Sequence, residues 1–178
     1  KTNWYYKLSY CEILKIQVTH MNISRKSLLQ GAREAKGTVV IIDVFRAFSV
    51  SCYLIANGAK RVYPVGSIDE AYRMKRDNPN CILIGERHEK ICKGFDYGNA
   101  PTHILNVDFS GKTIVHTTSS GTQGIDLAKN ADEIITGAFV NAAAIVRYLK
   151  AKNPKVLSLV GMGYEGLRTT QEDEFCGA

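Results

Sequence analysis

The stretch T-V-V-I-I-D-V-F-R-A-F-S-V at residues 38–50 decides how this chain folds. Its first part, Val39-Val40-Ile41-Ile42, is an unbroken β-branched run, the pattern of a parallel-sheet strand buried on both faces. An acid ends the run at Asp43, a base follows at Arg46, and an apolar helical pattern then continues to a stop at Asn57-Gly58. A strand feeding directly into a helix is the unit of an α/β fold. In such folds ligands collect beyond the C-terminal ends of the strands, which is where Asp43 and Arg46 stand. From this stretch alone, a structural Asp–Arg pair at a helix start is the alternative reading.

The same alternation extends in both directions. Upstream, residues 12–19 read as a first strand at an edge, and residues 24–34 as a short helix or loop. The central strand covers residues 38–44 and its helix residues 47–57. A short strand follows at 61–65. Ser67 and Glu70 then form a capping box for a helix to Arg76. Residues 81–85 read as a buried strand with Glu86-Arg87 at its exit, and residues 89–102, lacking periodicity, as the longest loop. A strand at 112–117 leads through Thr117, Thr118, Ser119, Ser120, Gly121 and Thr122 into a helix ending near Asn130. A strand at 133–136, a helix capped by Asn141 and running to Lys150, and a strand at 155–160 come next. The loop at 161–166 precedes a last helix opening near Thr170. Strands alternating with helices of this length predict an α/β fold, a mostly parallel sheet with flanking helices in three layers. Right-handed crossovers then carry Asp43 and Arg46, Glu86 and Arg87, the hydroxyl-rich turn and the Gly161 loop to one edge.

Composition narrows the class. At 178 residues, 45% of them hydrophobic and 22% charged, the chain fits one globular domain over residues 1–178. It does not begin with Met and stops at Phe175-Cys176-Gly177-Ala178, inside what reads as a helix just begun, so a fragment incomplete at its C-terminal end is expected. No apolar run has the roughly 20 residues that span a bilayer. Trp4-Tyr5-Tyr6 lies among lysines and polar residues rather than in a signal-peptide core, so the expectation is no membrane partner and a cytoplasmic protein. The cysteines, Cys11, Cys52, Cys81, Cys92 and Cys176, show no C-x-x-C spacing, which argues against both a zinc site and a disulfide framework. A net charge of +6 raises nucleic acid as a partner. The Lys-Arg pairs at 25–26, 60–61 and 75–76 are scattered and lack interleaved aromatics, so a surface that attracts small anionic metabolites is the simpler account.

The chemistry then rests on a few residue types. A hydroxyl-rich, glycine-containing turn at a helix start offers N–H and O–H donors to a phosphate or carboxylate, although any helix may carry such an N-cap. Walker spacing is absent. Arg46 and Arg87 can grip phosphate oxygens in a bidentate fork. Asp43, Glu86, Glu172 and Asp173 are hard oxygen donors of the kind Mg²⁺ takes, while Glu172-Asp173 at a helix start can equally balance the helix dipole. His116, in a strand beside the turn, reads as a satisfied core histidine. There is no G-x-S-x-G elbow to support triad hydrolysis.

From Val39 to the end of the chain these motifs resemble the 2-phosphosulfolactate phosphatase family. The resemblance runs through Ile42-Asp43-Val44-Phe45-Arg46-Ala47, Ala56-Asn57-Gly58-Ala59, Gly85-Glu86-Arg87 and Gly94-Phe95-Asp96-Tyr97-Gly98-Asn99-Ala100-Pro101. It continues through Thr117-Thr118-Ser119-Ser120-Gly121-Thr122, Phe139-Val140-Asn141-Ala142 and Glu172-Asp173. It implies a Mg²⁺-dependent phosphatase that hydrolyses 2-phospho-3-sulfolactate to sulfolactate and phosphate, on the route to coenzyme M in methanogens. Asp43, Arg46, Glu86 and Arg87 would be catalytic, residues 117–122 would bind phosphate, and Asp43, Glu172 and Asp173 would hold the metal. Phe48, Ser119-Ser120 and Gln123-Gly124 depart from the family pattern and indicate a side branch. A non-catalytic anion-binding or regulatory domain on the same fold is the rival expectation, and self-association is left open.

Overall fold

In a computed structural model the described residues run from 20 to 178, so the strand expected at residues 12–19 lies outside them. The anticipated central strand is β2, Gly37–Ile42. It lies in a four-stranded, all-parallel sheet between β8, Val156–Gly161, and β7, Ala131–Gly137. At the far side of β8 is β1, Asn22–Ser27. Residues 24–34, read as a short helix or loop, therefore resolve into the end of an edge strand and the short helix α1, Leu28–Glu34. The polar sequence of β1 hid it, because an edge strand needs only part of its length covered.

The β-branched run does what its pattern requires. Val39 and Ile41 point to one face, where they pack with Ala32, Phe48, Val160 and Met162. Val40 and Ile42 point to the other, against Leu149 and Leu157. All four are at most 3% exposed, and each side chain so buried contributes about 1.5–3 kcal/mol. Helix α1 and α5, Gly121–Leu127, cover the first face, and α6, Ala142–Lys152, covers the second.

The remaining strands do not extend this sheet. β3, Arg61–Pro64, β6, Thr113–Thr117, and β4, Ile82–Arg87, form a second, parallel sheet, closed by the antiparallel β5, Lys90–Ile91. The reason lies in α2, Ala47–Ala56, with sequence AFSVSCYLIA. A helix that is apolar around much of its circumference must be covered on more than one side. Ala47 and Phe48 join the core of the first sheet, while Val50 and Leu54 join Ile84, Phe109 and Ile114 in the core of the second. The opposite face of the second sheet, Leu83 and Val115, packs on α3, Ile68–Asp77, which starts at Ser67 as the capping box predicts. Ser67 Oγ accepts the N–H groups of Asp69 and Glu70 at 3.1 and 3.5 Å.

Two local expectations change. Asn141 holds the N-cap position of α6, but its side chain does not bond into the helix: its Oδ1 accepts the N–H of Ala138 and its Nδ2 donates to Thr136 O, which tightens a 3-10 turn, Phe139–Asn141, before the helix. The long loop contains β5 and a one-turn helix α4, Pro101–Ile104. Among the described residues Cys52, Cys81, Cys92 and Cys176 are free thiols, with Cys81 and Cys92 buried and Cys52 half-buried. No helix among the described residues is long and apolar enough to cross a membrane.

Candidate active site

The exits of β2, β4, β6 and β8 meet, although they belong to two sheets. The β2 ladder continues one residue past the strand, with Asp43 N–H donating to Gly137 O at 3.1 Å, and Met162 N–H after β8 donates to Ile42 O at 2.9 Å. The chain then turns, and the Phe45–Arg46 peptide is cis. Asp43 is left 5% exposed, with each carboxylate oxygen held by a backbone amide: Oδ1 by Ala47 N–H at 3.0 Å and Oδ2 by Gly121 N–H at 2.8 Å. Two such bonds favour the charged form, but burial outweighs them. With the Asp173 charge adding to it, burial raises the Asp43 pKa to about 7.

Glu86, at the end of β4, is held in the same manner. Its Oε1 accepts Ser119 N–H at 2.7 Å, and its Oε2 accepts Ser119 Oγ–H at 3.0 Å and Glu89 N–H at 2.9 Å. The donors of the hydroxyl-rich turn are therefore engaged by the protein's own carboxylates. Thr118 and Thr122 bond chiefly to each other, with Thr118 N–H donating to Thr122 Oγ1 at 2.8 Å. Ser120 Oγ donates to Met162 O and Gly163 O at 3.2 and 2.8 Å and ties the turn to the β8 exit. Thr117 Oγ1 accepts from Arg87 at 2.7 Å.

The two arginines part company. Arg46 lines a small cavity of about 50 Å³ together with Asp43, Glu86, Glu89, Asn99 and Ser119. Its guanidinium makes no hydrogen bond or ion pair to another described residue. Arg87 is half-buried and spends its donors on Glu86 O, Gly66 O and Thr117 Oγ1 at 2.7–2.8 Å, with its pKa lowered by desolvation. It borders a different, larger cavity of about 600 Å³, which shares Ser119 and Glu165 with the first. Glu165, common to both linings, has its Oε1 2.8 Å from His88 Nδ1, in hydrogen-bond contact.

Asp173 and Glu172 lie on α7, Gln171–Cys176, and neither borders the small cavity. Asp173 is 3% exposed and stands behind it, where its oxygens accept Val44 N–H at 2.8 Å and Gly163 N–H at 2.7 Å. It thus joins the loops after β2 and β8, and burial raises its pKa. Glu172 is half-buried beside it. Among the described residues no three His, Cys, Asp or Glu side chains come together as a metal cage. Asp43 and Glu86 remain as hard oxygen donors on one wall. Mg²⁺ commonly takes one or two carboxylates and completes its shell with water and substrate phosphate, and this pair fits that demand.

Residues 89–102 supply what the sequence reading left without a role. Glu89 and Asn99 line the cavity from that loop, and Tyr164 and Glu165 line it from the loop after β8. His116 is fully buried, as a satisfied core histidine should be, between Ser51 Oγ at 3.3 Å and Asn99 Oδ1 at 3.1 Å. The one available signal was the loop itself, polar and aperiodic between buried strands, since such segments carry function more often than packing.

Residues 23–178 match the model of a family described as 2-phosphosulpholactate phosphatase. A probable 2-phosphosulfolactate phosphatase of Thermotoga petrophila is 42% identical over 124 residues, covering 70% of this chain and 53% of that protein. One of Caldanaerobacter subterraneus subsp. tengcongensis is 37% identical over 130 residues, 72% of this chain and 54% of that protein. One of Clostridium perfringens is 32% identical over 146 residues, 79% of this chain and 58% of that protein. The chain spans about half the length of the curated relatives it matches.

Proposed function

The chain belongs to the 2-phosphosulfolactate phosphatase family, and on that premise we propose that it hydrolyses a small phosphomonoester, 2-phospho-3-sulfolactate, to sulfolactate and phosphate, with Mg²⁺ as cofactor. The observation that carries this reading is the small cavity itself. An arginine without a partner among the described residues lines the same cavity as two carboxylates held by backbone amides, at the exits of four strands.

Roles follow from the chemistry of each group. Arg46 binds the phosphoryl oxygens and stabilises the charge that spreads over them as the ester bond breaks. Asp43, which a bound cation would keep ionised, serves as a carboxylate that orients the attacking water, and its raised pKa of about 7 belongs to the metal-free chain. Asp43 and Glu86 are the residues that would hold Mg²⁺, which when bound supplies Lewis-acid charge to the phosphoryl oxygens and acidifies water. The turn at residues 117–122 acts through the carboxylates it holds. The cavity of about 50 Å³ suits the phosphoryl end, and the larger one beside Arg87 suits the rest of the substrate, whose carboxylate and sulfonate are attracted by a guanidinium that no ion pair neutralises.

The test is phosphate release from 2-phospho-3-sulfolactate and a panel of small phosphomonoesters, with Mg²⁺ or with a chelator. Release that needs Mg²⁺ and favours the sulfonated ester is expected. No release from any ester would instead make this a non-catalytic anion-binding domain. Metal binding has its own readout: added Mg²⁺ should raise the melting temperature of the chain, and raise it less in an Asp43 variant. In the same assay Arg46→Ala should lower kcat by about 10²–10³-fold, the usual loss when a donor to the transition state is removed. A rise in KM with kcat unchanged would make Arg46 a uniform binder instead.

A further inference from the structure

A line of three polar side chains leads from the interior into the cavity. Ser51 on α2 lies 3.3 Å from His116 Nδ1, and His116 Nε2 lies 3.1 Å from Asn99 Oδ1. His116 is fully buried and Asn99 is 8% exposed. Burial alone pushes the His116 pKa down to about 4, so the imidazole is neutral and carries one N–H and one lone pair. Asn99 presents its carbonyl Oδ1 to Nε2, which places the imidazole N–H on Nε2, donating to Asn99 Oδ1, and leaves the Nδ1 lone pair toward Ser51 Oγ, which also lies 3.1 Å from Ala47 O. That bond occupies the carbonyl end of the Asn99 amide and leaves the NH₂ end for the cavity.

Two further observations agree with this orientation. The cavity wall carries Asp43, Glu86 and Glu89, a field that favours an amide turned with its N–H groups outward. The Asn99 NH₂ makes no hydrogen bond to another described residue, although the side chain is more than nine-tenths buried. A side chain this buried, whose free donor end belongs to a cavity lining, is placed to meet a ligand there. The cavity has few donors of its own. Asp43 and Glu86 occupy amides of the hydroxyl-rich turn, which leaves Arg46, with Tyr164 on the same lining, to meet an anion with several oxygens.

Building on the phosphatase reading above, we propose that the Asn99 amide is a second direct donor to the phosphoryl oxygens, and that His116 is the positioning residue that fixes which end of that amide faces them. Asn99 is then a catalytic residue contributed by the loop between β5 and α4, while His116 never touches substrate.

The experiment measures inorganic phosphate binding to the intact chain by calorimetry, alongside phosphate release. Asn99→Ala should weaken phosphate binding about tenfold and lower kcat about 10²-fold, and Asn99→Asp, which presents a carboxylate to the anion, should lower both further. At position 116 the two variants should differ. His116→Gln can still donate to Asn99 Oδ1 and should keep most of the turnover. His116→Leu cannot, and should lower kcat about tenfold with a near-parental KM and an unchanged circular dichroism spectrum. Parental phosphate affinity in Asn99→Ala would overturn the assignment, and so would a parent chain that binds no phosphate. Equal activity of folded His116→Leu and His116→Gln would overturn the positioning role. If the His116 variants do not fold, the Asn99 pair decides. A parent that binds phosphate through Asn99 but releases none from any ester would defeat the phosphatase reading and leave the donor assignment standing.

Discussion

Asp43→Asn will abolish phosphate release, lowering kcat by about 10³-fold or more, the scale of loss when a carboxylate that holds the metal and orients the attacking water is removed. The same substitution changes how stability depends on pH. In the metal-free chain Asp43 titrates near 7, against an unfolded value of about 3.9. Between those two pH values the folded state binds more protons than the unfolded state, so stability is greatest at the acid end and falls as pH rises toward 7. A shift of this size corresponds to at most about 4 kcal/mol. Asp173, also raised by burial, adds to the loss in the same direction. Asparagine removes the titration at position 43 but cannot accept from both Ala47 N–H and Gly121 N–H, because one end of its amide is a donor. The variant should therefore lose stability at pH 5, where the parent is protonated, and regain ground by pH 8. Denaturant titrations with chelator at pH 5, 6, 7 and 8 measure this. A parental pH slope in the variant would place the titration elsewhere, and parental turnover would remove Asp43 from the chemistry.

The largest loss of stability will come from Gly85→Ala, at about 3–5 kcal/mol, the exceptional range for a single substitution. Gly85 pairs with Thr117 across β4 and β6, and its own N–H donates to Tyr97 O at 3.1 Å. A Cβ on its backbone, at φ +154, would stand 1.9 Å from Thr117 O and 3.0 Å from Thr117 C. Neither atom belongs to a side chain that can swing away, so one strand must shift by an ångström or more. The shift falls directly before Glu86 and at the start of the hydroxyl-rich turn, so turnover should fall with stability. Gly94→Ala and Gly111→Ala are the controls. Both have positive φ, but an added Cβ meets nothing within 4 Å, and each should cost only about 1–2 kcal/mol. Gly85→Ala within 1 kcal/mol of the parent would mean that β4 and β6 are free to separate there.

Residues whose local pattern states their surroundings were legible. The run at residues 39–42 announced a strand covered on both faces, and the Ser67 box announced α3, because both signals are carried within a few neighbouring residues. The convergence of Asp43, Glu86 and the hydroxyl-rich turn was legible too, since parallel strands joined by crossovers bring their ends together. Three things were not. The split into two sheets depends on which strand accepts which side of α2, and in a sequence such as AFSVSCYLIA no face is polar enough to decide it. The direction of the Asp173 side chain was hidden because acidity is visible in a sequence while direction is not, and Asp173 turns toward Val44 N–H and Gly163 N–H. Asn99 was passed over because its importance rests on His116, a partner that only the tertiary fold supplies.

The order of the first sheet, β1-β8-β2-β7, has a consequence for how the chain is made. Among the described residues β1 pairs with β8 alone, and β2 with β7 and β8, so these two strands have no partners until residues 131–161 follow. The second sheet draws on residues 61–117 and can assemble well before that. At roughly 5–20 residues per second, β1 waits about 7–27 s for β8. Until β7 and β8 follow, the apolar run at residues 39–42 lacks its strand partners, beside a neighbouring sheet whose residues are already made. A chaperone that binds short β-branched segments therefore has its target at the strand that later carries Asp43, and translational pausing before residue 131 should lower the soluble yield more than pausing after residue 161.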